Sequence, residues 1–105
     1  MAWLLLFLAG IFEIIWAIAL KYSDGWRKPM PSAVAIIGSI LSIVTLSFAL
    51  RTLPVGAAYA VWVGIGILGV ALWGVLFFGE SPSPMRIFCM FLIFSGIVGL
   101  KLVSN

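Results

Sequence analysis

Long apolar runs separated by three short polar breaks set the plan of this chain. The runs cover residues 2–20, 31–50, 57–78 and 85–103. Each is close to the roughly 20 residues that a helix needs to cross a bilayer. The first break holds Lys21, Ser23, Asp24, Gly25, Arg27 and Lys28, with Tyr22 and Trp26 suited to the membrane interface. The second is a short break at residues 51–56, from Arg51 through Pro54 to Gly56. The third runs through Gly79, Glu80, Pro82 and Pro84. Pro31 suits a first helical turn, where its missing N–H costs nothing. The pattern predicts an all-α integral membrane protein, one domain over residues 1–105 built from four transmembrane helices.

Composition agrees with lipid as the main solvent. Of 105 residues, 65% are hydrophobic and 9% charged, too few charges to coat a soluble core of this size. The net charge of +3 is scattered, so it makes no nucleic-acid footprint. A lone cysteine, Cys89, excludes an internal disulfide, and the absence of histidine removes His-based metal sites and His general bases. The three carboxylates are spread along the chain and form no acid–base pair. Neither an enzyme nor a bound metal or cofactor is expected. Ala17-Ile18-Ala19 faintly resembles a signal-peptidase site, but the preceding start lacks Lys and Arg, so the first span is read as retained. Lys21, Arg27, Lys28 and Arg86 fall on one side of the membrane, and Arg51, Lys101 and the amino terminus on the other. That bias is weak, and it permits insertion in both orientations.

Against this background Glu13 stands out, the single charge between residues 3 and 20 and within about one helical turn of that stretch's midpoint. An ionised carboxylate in hydrocarbon costs several kcal/mol even on lenient scales, so it marks a site for a proton, a cation, or both in turn. Lys21 and Lys101 lie near span ends, too far in depth to be its structural partners. On a helix, Glu13 shares a face with Ala9, Gly10, Trp16 and Ala17. The third span offers Tyr59 as a hydrogen-bond donor and Trp62 as a flat surface for a cation. The second places Gly38, Ser39, Ser42 and Thr45 along one side, where a hydroxyl could orient Glu13. Gly64, Gly66, Gly69 and Gly74 suit either close packing or a bend in the third span, and Ser95, Gly96 and Gly99 resemble a helix-association face. Burial disfavours the charged form of a carboxyl, so the group can hold a proton and release it when a cation arrives. A planar guanidinium would match two carboxylate oxygens with two N–H groups. Four helices enclose little interior, which favours a homodimer of oppositely oriented chains with the site between protomers.

Several stretches carry a resemblance to a known family. Residues 10–17, Gly-Ile-Phe-Glu-Ile-Ile-Trp-Ala, residues 20–23, Leu-Lys-Tyr-Ser, residues 53–66, Leu-Pro-Val-Gly-Ala-Ala-Tyr-Ala-Val-Trp-Val-Gly-Ile-Gly, and residues 96–101, Gly-Ile-Val-Gly-Leu-Lys, resemble the small multidrug resistance family. The resemblance spans the chain and implies a proton-coupled exporter, an antiparallel homodimer in a bacterial plasma membrane. Trp16 and Lys101 make it more similar to the guanidinium-exporting branch than to the quaternary-ammonium branch. On this resemblance Glu13 binds guanidinium, a substituted small cation, or protons. Ser42, Trp62 and Trp16 position the carboxylates, Tyr59 contributes to switching, Gly10 leaves space beside the acid, and Lys101 is tied to assembly or gating. Val63 departs from the family pattern by replacing a hydroxyl residue after Trp62, and Cys89 stands where some relatives have a dimer-face glycine. The alternatives are a polyspecific exporter of quaternary ammoniums or other hydrophobic cations, and a non-transporting membrane subunit.

Overall fold

The computed structural model describes residues 1–103, which form four helices and no strand. They are α1 (Ala2–Tyr22), α2 (Pro29–Ala49), α3 (Val55–Phe77) and α4 (Pro84–Val103), each long and apolar enough to cross a membrane. Proline marks three of the four starts. Pro29 opens α2 two residues before Pro31, because both positions lie in a first turn whose N–H groups have no intrahelical partner. Pro54 precedes α3 in an extended conformation, and Pro84 opens α4. Helix α1 continues to Tyr22 and stops at the fully buried Ser23, whose hydroxyl donates to the Leu20 carbonyl at 2.6 Å and accepts from the Trp26 amide at 3.2 Å. That one side chain closes the helix and turns the chain toward α2.

Helix α1 lies between α2 and α3, and α4 packs against α3. The result is a slab, 42 × 35 × 17 Å, rather than a rounded bundle. Its buried core of Leu6, Ala9, Leu46, Ala49, Ala58 and Val61 joins the start of α1, the end of α2 and the start of α3. The core therefore sits at the end of the molecule that carries the Arg51 turn. Outward positions such as Phe7, Ile37, Ile43, Leu72 and Phe91 are apolar and exposed, as a lipid-facing surface requires. No residue of α4 is buried.

Lipid tails are as apolar as leucine, so these helices associate through close packing rather than hydrophobic exclusion. Glycines supply that closeness. A Cβ on Gly10 would lie 2.6 Å from the Ile65 side chain, and one on Gly38 would lie 2.9 Å from Trp16. A Cβ on Gly64 would meet Ile97 of α4 at 2.8 Å, and one on Gly69 would overlap Ile14. Of the two uses expected for the third-span glycines, close packing is the one these contacts serve. Gly96 and Gly99 have open space where a side chain would stand. Gly69→Ala is expected to destabilise the α1–α3 contact by about 1–3 kcal/mol, the usual cost of overpacking. Ile14→Ala should recover much of that loss, and denaturation in detergent of the two single variants and the double variant checks both.

Candidate functional site

Glu13 lies half-buried midway along α1, on the side facing α3. One turn further on, the Trp16 indole N–H donates to its Oε1 at 2.9 Å. Spacing of three residues on one helix makes this bond local, so α1 alone presets the carboxylate's rotamer. Gly66 of α3 stands directly against the acid, where a Cβ would come within 2.6 Å of its Cγ. The space beside Gly10, expected next to the acid, is instead filled by Ile65; Gly66 makes the room. Trp16 in turn rests on Gly38 of α2. The acid and its donor are thus seated between two glycines from the neighbouring helices.

Ser42 is fully buried and does not bond to Glu13. Its hydroxyl donates to the Ala9 carbonyl of α1 at 2.7 Å and accepts from the Trp62 indole N–H of α3 at 2.9 Å. Helical geometry makes that same carbonyl the partner of the Glu13 backbone N–H, one turn on. Ser42 and Trp62 therefore fix the stretch of α1 that carries the acid rather than touching its carboxylate. Ser39 and Thr45, placed with Ser42 in the sequence reading, bond to carbonyls of their own helix. Tyr59 stacks edge-on against Trp62, with centroids 5.4 Å apart, and is exposed. Lys101 lies at the far end of α4, its Nζ 5.5 Å from the centre of the Trp3 ring. Gly64 packs on α4, while Gly96 faces open space.

An open cavity of about 450 Å³ runs along α1 and α3 from Val63 past Gly66, Glu13 and Trp16 and reaches Glu80 and Arg86. Its wall at Val63 is apolar where a hydroxyl would offer a further hydrogen bond. Glu80 and Arg86 are the residues that the sequence reading missed, having served there only as punctuation and as a topology charge. Their spacing of six across two prolines was the available signal. Among the described residues no cluster of side chains suits a metal. Nor, among those residues, does any buried side-chain nitrogen or oxygen lack a hydrogen-bond partner.

Ser42→Ala strands the Trp62 donor in an apolar surround, and about 1–3 kcal/mol of stability is expected to go with it. Trp62→Phe should then add little on the Ser42→Ala background, because one bond links the pair. A double-mutant cycle on thermal unfolding in detergent measures the coupling.

The family model described as Small Multidrug Resistance protein matches residues 1–93. Proteins named Guanidinium exporter from Citrobacter freundii and Salmonella typhimurium are each 53% identical over all 105 residues, covering the whole of both chains. A third, from an Escherichia coli O6:H1 strain, is 46% identical over the same full length. With the family model covering most of its length, and with relatives of this identity matched from end to end, the chain belongs to the small multidrug resistance family of multi-pass membrane proteins.

Proposed function

We propose that this protein exports guanidinium, or a small substituted guanidine, in exchange for protons that compete for Glu13. The carrying observation is the Glu13–Trp16 pair, a carboxylate preset at mid-span and open to a cavity. The names of the full-length relatives support guanidinium as the cation. Trp16 donates one hydrogen bond to Oε1, which leaves lone pairs on both carboxylate oxygens for a planar ion with N–H groups around its edge. A cation that cannot donate gains only charge attraction there. Proton and cation cannot share the acid, so a protein that exposes Glu13 to each side in turn exchanges one for the other. No bond is made or broken in substrate, and the role is transport rather than catalysis.

The working unit in this reading is an antiparallel homodimer in a bacterial inner membrane. One chain leaves the acid half-buried in a slab only 17 Å thick, and no residue of α4 is buried. Gly96 and Gly99 present a small-residue strip on α4 with open space before it, the surface that close helix association uses. Two oppositely oriented copies bring two carboxylates to the midplane, and either copy can be the inward-facing one. The weak charge bias between the two ends of the chain suits such a pair.

Purified protein in liposomes is expected to give a guanidinium-evoked current that Glu13→Gln abolishes. A current led by tetraethylammonium would replace this reading with a quaternary-ammonium exporter, and silence with both cations would leave a non-transporting subunit. Competition also sets a sign with pH. As pH falls, protons occupy more of the acid, so the guanidinium KM should rise while maximal flux under a fixed proton gradient changes less; initial rates across a pH series check it.

A further inference from the structure

The far end of the Glu13 cavity holds a second carboxylate that the transport chemistry above leaves unused. Glu80 Oε1 accepts from the Arg86 guanidinium at 2.7 Å, and both residues line the same cavity as Glu13. From Glu13 to the end of α1 is roughly 14 Å along the helix, so this pair stands at the membrane surface while Glu13 stands at mid-depth.

Both partners are held in place by backbone. The Glu80 amide donates to the Gly74 carbonyl at 3.1 Å, and its carboxylate lies over Gly74, where a Cβ would come within 2.5 Å of Oε1. Arg86 sits in the first turn of α4, its amide bonded to the Ser83 hydroxyl at 3.3 Å, a helix-capping contact. The side chains are 44% and 40% exposed for Glu80 and Arg86. An ion pair this wet is weak and exchanges readily with ions in solution.

Its cation is itself a guanidinium. A carboxylate positioned to receive the planar N–H edge of Arg86 offers the same surface to any free guanidinium that arrives. Resting on the transport reading, we propose that Glu80 is a staging site for guanidinium at the cavity mouth. Arg86 is its resident competitor, which the incoming ion displaces before moving down to Glu13. Arg86 then swings to water, and it returns once the ion has moved on. Round cations without N–H groups cannot replace the hydrogen bond that Arg86 gives up, so the mouth favours planar donors before Glu13 is reached. In an antiparallel dimer each membrane face carries one such pair, one at entry and one at exit.

The two halves of the pair should act in opposite directions. Initial guanidinium flux into liposomes is measured against concentration for the native protein, Glu80→Gln, Arg86→Gln, Arg86→Lys and the double variant E80Q/R86Q. Loss of the carboxylate is expected to raise the guanidinium KM roughly three- to fivefold, and loss of its competitor to lower it by a similar factor, the span that an exposed pair supplies. Maximal flux should stay within about twofold. Arg86→Lys, which keeps the charge and the helix start, should fall between the native protein and Arg86→Gln. The double variant restores neutrality but lacks the carboxylate, so its KM should stay raised. Shifts of the same sign in the two single variants would mark a structural clamp and overturn the proposal, as would no shift in either. A native KM in the double variant would show that only the local field matters and would overturn it too. Silence of the native protein would overturn the transport reading, and the staging site with it.

Discussion

One hydroxyl ties the structure together. Ser42 of α2 joins α1 through the Ala9 carbonyl and α3 through the Trp62 indole, in a setting where water supplies no alternative partner. Helices in lipid gain little from hiding apolar surface, so a buried bond that only one register satisfies sets how they align. The Ala9 carbonyl lies one turn before Glu13, so this bond sets the depth and rotation at which the acid meets α3. Trp16 then fixes the carboxylate from its own helix, and Gly38 and Gly66 admit the two side chains between the neighbours. The site is assembled from the backbone outward.

The slab has two unlike ends. Around the Arg51 turn the three helices close on a core of small and aliphatic residues, with Lys101 over Trp3 at its margin. Toward Glu80 and Arg86 an open cavity lies along α1 and α3 instead. A closed end and an open end with an ion pair at its lip suit the exchange proposed for Glu13. Bringing Glu13 into the protein interior then falls to a second chain in the proposed dimer, because a slab only 17 Å thick leaves one side of the site open.

Sequence and tertiary structure divide the credit for physical reasons. The four helices were legible because each apolar run is as long as a bilayer is thick and proline or polar residues interrupt the runs. Glu13 was legible because a charge at mid-span is costly wherever the chain around it folds. The proximity of Trp16 followed from helical spacing alone. Partners on other helices were not decided in this way. Ser39, Ser42 and Thr45 have similar chemistry on one helix, yet only Ser42 reaches across to another, because its register alone brings it opposite Ala9. Helical spacing puts Gly10 on the face of the acid and leaves Gly66 among glycines for packing or bending, and only packing assigns the space beside the acid to Gly66. The Glu80–Arg86 pair stayed hidden because Pro82 and Pro84 reverse the chain between them, and that reversal folds two apparent punctuation charges over the mouth of the Glu13 cavity. Sequence by itself determined the membrane setting, the helices and the acid, all of which depend on transfer energies and local spacing; which side chains surround that acid, a matter of register between helices, was decided only by the tertiary structure.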